Sequence, residues 1–239
     1  MPIVSKPIEY AHDGVTLEGT LAHDSAATGP LPAVLISHAW AGRTDFEIGM
    51  AERIAELGYA GFALDLYGKG VTGANNEENE KLMTPLASNR PFLQDRLAKV
   101  VDVVKSLPEV DGSKITAIGF CFGGLCVLDL ARMGADLKGV AAFHGILAAP
   151  GNTEGNKISA KIAVYHGWDD PMATPADHNA LAEELTRADA DWQIHAYGGV
   201  MHAFTNPQAN DPDFGTVFNQ NAANRSWASL TSFLGECFA

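Results

Sequence analysis

Short apolar runs alternate with longer amphipathic stretches along most of this chain. The runs at 33–37, 59–65 and 161–167 are apolar almost throughout, as is typical of strands in a parallel sheet covered on both faces. Residues 45–57 and 91–107 instead repeat their apolar side chains at the spacing of one helix face. Strands that alternate with helices in this way predict an α/β fold, a mostly parallel central sheet with helices on both faces.

The remaining segments continue this alternation. Residues 6–23 are predicted to form a β-hairpin, because Asp13-Gly14 is a strong turn signal. Residues 66–90 form the longest irregular stretch, partly helical, which suits a lid, a pocket wall or an exposed acidic loop. Further strands are predicted at 114–118, 139–145 and 191–197, and further helices at 125–132, 174–188 and 222–233. A single domain over residues 1–239 accommodates all of these elements.

A glycine-flanked cysteine lies where a predicted strand meets a predicted helix. Gly119 and Gly123 stand two positions to either side of Cys121. In such a strand–turn–helix the central residue takes a strained backbone conformation, and flanking side chains would collide with the strand and the helix. The pattern is typical of a nucleophile elbow. A cysteine in a glycine-rich turn can also be a merely packed residue, so the prediction depends on partners elsewhere in the chain.

Two suitable partners follow later strands. Asp169 comes just after the strand at 161–167, and His202 lies in the loop after the strand at 191–197. Ligands bind at the carboxyl ends of strands in sheets of this kind, and the order nucleophile, acid, base is that of a hydrolase triad. We therefore expect His202 to take the proton of Cys121, and Asp169 to orient the imidazole.

The predicted triad needs donors for an oxyanion and a pocket for the acyl group. The backbone N–H groups of Phe122 and Trp40 are the expected oxyanion donors, since each lies in a turn after a strand. Side chains near the predicted strand ends are candidate pocket residues, although each could simply be packed: His38, Ala39, His144, Trp168 and Phe204. The histidines show no i, i+4 or H-x-H pair of the kind usual in zinc sites, so no metal and no other cofactor is expected.

Charge and cysteine content narrow the possible partners and the cellular compartment. The 239 residues carry a formal net charge of -13, which argues against a nucleic acid or an anionic membrane as partner. Three cysteines without a C-x-x-C pair suit a reducing compartment. The chain shows no signal-peptide pattern at its start and no apolar run of about 18 residues, so we expect a cytoplasmic protein.

These motifs together resemble the dienelactone hydrolase family, the carboxymethylenebutenolidases and their relatives. The resemblance covers roughly residues 6–235 and rests on three segments: Gly-Phe-Cys-Phe-Gly-Gly at 119–124, His-Gly-Trp-Asp-Asp-Pro at 166–171 and Met-His-Ala-Phe at 201–204. It implies an α/β-hydrolase fold and metal-free hydrolysis of carboxylic esters or lactones. It also implies that a Cys-His-Asp triad carries the acyl group as a covalent acyl-thioenzyme.

Two positions depart from the family pattern. Many members have a glutamate where this chain has Ala39, and dienelactone hydrolase itself has an arginine where this chain has Asn206. The resemblance therefore favours a broader esterase or lactonase over a true dienelactone hydrolase. Arg43 and Arg90 are the remaining candidates to bind an anionic substrate, although both also suit a surface position.

Two other classes of protein remain open. A cysteine amidohydrolase of the glutamine amidotransferase or DJ-1 type also places a cysteine on a glycine-flanked turn, but with a histidine and a glutamate close together downstream. A non-catalytic binding protein on a hydrolase scaffold would have no need of all three triad residues. The expected partner is a small ester or lactone, and the expected state is a monomer or a homodimer.

Overall fold

Eight strands form one mostly parallel sheet in the computed structural model, which describes residues 2–239. The strands of this sheet are β1 (Ile3–His12), β2 (Val15–Asp24), β3 (Leu31–Ser37), β4 (Ala60–Ala63), β5 (Val110–Phe120), β6 (Gly139–Phe143), β7 (Lys161–Gly167) and β8 (Trp192–Tyr197). A separate two-stranded ribbon consists of β9 (Asn210–Asp211) and β10 (Thr216–Val217). The helices are α1 (Asp45–Glu56), α2 (Asn76–Ser88), α3 (Arg90–Lys105), α4 (Phe122–Arg132), α5 (Pro175–Arg187) and α6 (Gln220–Phe238).

The strand order of the sheet is β1-β2-β4-β3-β5-β6-β7-β8. β1 pairs with β2, and β2 with β4, in antiparallel fashion, whereas β3–β4, β6–β7 and β7–β8 are parallel pairs. The predicted α/β architecture is therefore confirmed. No helix among residues 2–239 has the length and apolar character that a membrane crossing requires.

The chain divides into two compact units, a first unit that ends at Ala117 and a second unit that runs from Ile118 to Ala239. The boundary falls inside β5, which is covalently continuous through it. The single domain over residues 1–239 stays a prediction.

Local sequence signals explain the elements of the first unit. Asp13 and Gly14 have φ angles of 48° and 72°, which the tight turn between β1 and β2 requires. Thr44 caps α1, and its side chain and that of Glu47 form a reciprocal capping box. Asn75 caps α2 in the same region that the sequence left mostly irregular, so this stretch is more ordered than predicted.

Continuous burial marks the sheet of the second unit. All five residues of β6 are buried, and so are Ile162 to Gly167 of β7, because both faces of these strands are covered. α6 packs closely on β6: a Cβ added to Gly139 would lie 2.5 Å from Sγ of Cys237 and 3.0 Å from the ring of Phe233. This contact explains why α6 extends five residues past its predicted end, to Phe238.

Candidate active site

The predicted elbow is present in the second unit. β5 ends at Phe120 and α4 begins at Phe122, so Cys121 alone joins the strand to the helix. Its φ and ψ angles are 55° and -114°, a strained conformation for a residue other than glycine. The N–H of Cys121 donates to the carbonyl of Phe143 at the end of β6, which fixes the turn to the sheet. The side chain of Cys121 remains partly accessible.

Gly119 is required by close backbone packing at this elbow. A Cβ at this position would lie 2.0 Å from the carbonyl oxygen of Gly123. We expect Gly119→Ala to lower the free energy of unfolding by about 3 kcal/mol, because backbone atoms cannot move aside as a flexible side chain can. The matched control is Gly235→Ala on the exposed side of α6, where a Cβ meets nothing within 4 Å. Gly235→Ala is expected to raise the free energy of unfolding by about 0.5–1 kcal/mol.

Urea denaturation of the two variants and the wild type checks this pair of expectations. A Gly119→Ala variant as stable as the wild type would contradict the steric account of the elbow.

The carboxylate beside His202 belongs to Asp170, so the prediction of Asp169 is wrong. Oδ2 of Asp170 accepts a hydrogen bond from Nδ1 of His202 at 2.7 Å. The turn after β7 is fixed by hydrogen bonds from the N–H of Trp168 to Tyr197 and from the N–H of Asp169 to Val200. These bonds leave the Asp169 side chain exposed and Asp170 buried. The N–H of Met172 donates to Oδ1 of Asp170 at 2.8 Å and holds its second oxygen.

The β9–β10 ribbon, which the sequence did not predict, positions His202. The N–H of His202 donates to the carbonyl of Gly215 at 2.9 Å, and the N–H of Val217 donates back to the carbonyl of His202 at 3.0 Å. His202 also forms an isolated bridge with Thr216. The following residue, Ala203, has a φ of 56°, so the backbone turns sharply just after the histidine. The imidazole is thereby held in a buried position.

Charges around His202 shift its pKa strongly. Burial lowers the pKa of His202, but the charge of Cys121 and the hydrogen bond with Asp170 outweigh this effect and raise the pKa to about 10. Burial raises the pKa of Asp170, but the imidazoles of His166 and His202 hold that pKa well below its usual range. Nδ1 of His202 is occupied by Asp170, whereas Nε2 is buried without a hydrogen bond of ordinary geometry among residues 2–239. His202 can therefore hold a proton on its buried imidazole, which interacts with the sulfur of Cys121 and the carboxylate of Asp170.

One predicted pocket residue, His144, packs on His202, and a second, Phe204, packs on His144. The ring of His144 is 5.0 Å from that of His202, and the ring of Phe204 is 5.2 Å from that of His144. Nε2 of His144 hydrogen-bonds with Oγ1 of Thr205 at 2.8 Å. Burial, together with the charge of His202, lowers the pKa of His144 well below its ordinary value, so this ring is neutral. Trp168 is 46% exposed, and its ring faces His178 at a distance of 6.1 Å.

The other predicted site residues belong to the first unit. Nδ1 of His38 lies 2.7 Å from the carbonyl of Ala39, and its Nε2 accepts from the N–H of Leu66 at 3.2 Å. Burial lowers the pKa of His38, so this neutral ring ties two backbone segments together. The carbonyl of Trp40 accepts from the hydroxyl of Tyr67 at 3.0 Å. The expected role of the Trp40 N–H group stays a prediction.

Sequence reasoning missed the buried carboxylate of Glu47, which lies in the first turn of α1. The Oε2 atom of Glu47 accepts from both the N–H and the hydroxyl of Thr44, and its Oε1 lies 3.4 Å from the backbone N of Ala39. The capping-box spacing from Thr44 to Glu47 was the available signal. Arg43, a candidate anion-binding residue, is instead engaged by Glu18 at 3.1 Å and by Thr20 at 2.8 Å.

Residues 2–239 contain no group of three or more His, Cys, Asp or Glu side chains arranged to hold a metal ion.

Residues 17–238 match the family model described as the dienelactone hydrolase family. The chain belongs to this family. The membership agrees with the resemblance seen in the sequence, and it removes support from the amidohydrolase alternative.

Two of three similar proteins extend over nearly the whole chain. A solved structure described as a dienelactone hydrolase-like promiscuous phosphotriesterase from metagenomic libraries is 31% identical, covers 99% of each chain and has a TM-score of 0.92. Protein K02A2.1 of Caenorhabditis elegans is 37% identical over 62% of this chain and 95% of its own length. A candidate carboxymethylenebutenolidase of Aquifex aeolicus is 26% identical over 95% of this chain and 96% of its own length.

The predicted α/β-hydrolase fold is confirmed by the first of these proteins and by MGS-M1, a solved structure described as an alpha/beta hydrolase enzyme, which is 16% identical, covers 98% of each chain and has a TM-score of 0.66. As a member of the dienelactone hydrolase family, the protein is a hydrolase that acts on an ester or a lactone.

Proposed function

We propose that this dienelactone hydrolase relative cleaves carboxylic esters or lactones through a thioester formed on Cys121. His202 transfers protons in both halves of the reaction, and Asp170 orients and stabilises the imidazole. The observation that carries the proposal is the buried imidazole of His202, hydrogen-bonded to Asp170 at 2.7 Å and raised in pKa by the charge of Cys121. The strained backbone of Cys121 supports it, because nucleophiles on such elbows are held clear of the strand and helix.

In the first half-reaction the sulfur of Cys121 attacks the carbonyl carbon of the substrate. A C–S bond forms, and the bond from carbon to the leaving oxygen then breaks. His202 gives its proton to that oxygen, which departs as an alcohol or, in a lactone, stays attached as a hydroxyl. The N–H of Phe122 at the start of α4 is the proposed donor to the oxyanion, where the helix dipole also favours negative charge.

In the second half-reaction His202 acts as a base. Once the sulfur carries an acyl group it has no charge, so one of the causes that raise the pKa of His202 is lost. The neutral imidazole then takes a proton from water, and the resulting hydroxide attacks the thioester. The C–S bond breaks, a carboxylic acid leaves, and the sulfur and the imidazole return to their starting state. His144, Phe204 and Trp168 are the proposed pocket residues of the second unit.

The effect of Cys121 on His202 gives a direct titration test. In the wild-type enzyme we expect the His202 imidazole to titrate near pH 10, and kcat/KM to fall as the pH rises past that value. In Cys121→Ala the imidazole is expected to titrate at a lower pH, because burial still favours the neutral ring while the negative sulfur is gone. NMR titration of the His202 ring measures both values. An unchanged pKa in Cys121→Ala would contradict the proposed pair.

A substrate panel tests the proposed reaction itself. It contains p-nitrophenyl acetate and butyrate, a thioester, a γ-lactone and a dienelactone, each assayed with the wild type and with Cys121→Ala. We expect Cys121-dependent turnover of the neutral esters and little turnover of the anionic dienelactone. Ala39 and Asn206 replace two charged residues of dienelactone hydrolase, and Arg43 is already paired with Glu18. No turnover of any substrate would favour the binding-protein alternative.

A second candidate activity is phosphotriester hydrolysis. The 31%-identical structural relative is described as a promiscuous phosphotriesterase, and it matches 99% of this chain. A neutral phosphotriester added to the panel tests this activity with the same Cys121→Ala control.

We also propose that the protein is a cytoplasmic monomer or homodimer that uses no cofactor. The free cysteines support a reducing compartment, and the negative net charge agrees with a protein that binds no nucleic acid or anionic membrane.

A further inference from the structure

A second imidazole contacts the triad carboxylate. His166 is the next-to-last residue of β7, and its Nε2 lies 3.0 Å from Oδ2 of Asp170. The same oxygen accepts from Nδ1 of His202 at 2.7 Å. The side chains of His166 and Asp170 are both 0% exposed, so neither can exchange this contact for one with bulk solvent. One carboxylate oxygen is therefore shared by two buried imidazoles.

The ring of His166 packs against a third buried imidazole. The ring of His178 packs edge-on against it, with centroids 4.2 Å apart and planes at 83°. Both ring nitrogens of His166 are buried, and neither has a hydrogen bond of ordinary geometry among residues 2–239, so the approach of Nε2 to Asp170 is a short polar contact. An aliphatic side chain could fill the same volume without placing a polar ring in the core. The approach of Nε2 to Asp170 is the polar contact that such an aliphatic side chain could not make.

We infer that His166 is a positioning residue for the triad: its Nε2 faces Oδ2 of Asp170 at 3.0 Å and so holds the carboxylate in line with Nδ1 of His202. The inference rests on the proposed function, because its effect on turnover passes through Asp170 and His202. Without the contact from His166, the buried carboxylate of Asp170 could rotate about its Cβ–Cγ bond or gain a proton. Either change would misalign the imidazole, and small misplacements of reacting groups have large effects on rate.

Two substitutions of His166 separate positioning from packing. His166→Leu removes the donor, and kcat is expected to fall by about 30-fold while KM changes by less than about 2-fold. His166→Gln keeps an amide N–H close to the place of Nε2, and is expected to recover activity to within about 5-fold of the wild type. The matched control is His178→Leu, which removes a buried imidazole that packs on His166, and should cost less than about 3-fold. Equal losses in all three variants would overturn the inference.

A double-mutant cycle shows whether His166 acts through Asp170. In an Asp170→Asn background, His166→Leu is expected to produce little further loss of kcat, because the carboxylate that it positions is no longer present. Independent action of the two residues would instead give multiplicative losses, which would overturn the inference.

A spectroscopic test does not depend on the folding of His166→Leu. In the wild type, the protons on Nδ1 of His202 and Nε2 of His166 should both give low-field NMR signals, and His166→Gln should remove one of them. Asp170→Asn should shift both signals, and a shift of the His202 signal alone would overturn the inference. Different results would refute the proposed function and the role of His166. Turnover that survives Cys121→Ala refutes the proposed function, whereas turnover that needs Cys121 but is unaffected by His166→Leu refutes the role of His166 alone.

Discussion

Cys121→Ala is expected to lower kcat for ester hydrolysis by about 10⁴-fold or more while the protein stays folded. A methyl group cannot form the thioester, so the two-step route is closed. Cys121 precedes α4 and its side chain is partly accessible, so truncation leaves little cavity. Steady-state kinetics on p-nitrophenyl butyrate and urea denaturation measure the two halves of this prediction.

Cys126→Ala is the matched control. Cys126 is fully buried within α4, so its truncation is expected to cost about 1 kcal/mol of stability and to change kcat by less than about 3-fold. Near-normal turnover by Cys121→Ala, or a loss of turnover as large in Cys126→Ala, would contradict the assignment of Cys121 as nucleophile.

Asp170→Asn is expected to lower kcat by about 10³–10⁴-fold, whereas Asp169→Asn should leave it within about 3-fold of the wild type. An amide in place of Asp170 carries no charge to stabilise the imidazolium, and its N–H₂ group cannot accept from Nδ1 of His202. The adjacent side chain of Asp169 is exposed, so it serves as a control of identical chemistry one position away.

Parallel kinetics on the two aspartate variants make this comparison, and the NMR titration adds a second readout. The pKa of His202 should fall in Asp170→Asn, because the hydrogen bond and the charge of Asp170 are among the causes that raise it. A loss of activity in Asp169→Asn with a normal Asp170→Asn would contradict the proposed role of Asp170.

The strained elbow at Cys121 could be predicted from sequence because its signal is local. A strand, Gly119, Cys121 and a helix occur within a short segment, and the steric need for a glycine follows from that segment alone. The carboxylate beside His202 could not be assigned in the same way. Asp169 and Asp170 are adjacent, and the hydrogen bonds that fix this turn are accepted by the carbonyls of Tyr197 and Val200, about 30 residues further along the chain.

The supports of His202 were beyond the sequence for a related reason. β9 and β10 have two residues each, too few for an alternating pattern to be recognised. His166 was visible as a residue at the end of a strand, but its contact with Asp170 depends on the path of the turn that follows β7. α2 was obscured by Pro85 and by a polar composition that equally suits a loop.

The most direct test of the central claim is mass spectrometry of the enzyme quenched with acid during turnover of p-nitrophenyl acetate. The account predicts that the peptide containing Cys121 gains the mass of one acetyl group, and that Cys121→Ala gains none. It also predicts that the label disappears once the substrate is consumed, because water releases the thioester. Full turnover with no label, or with a label on another residue, would contradict the account.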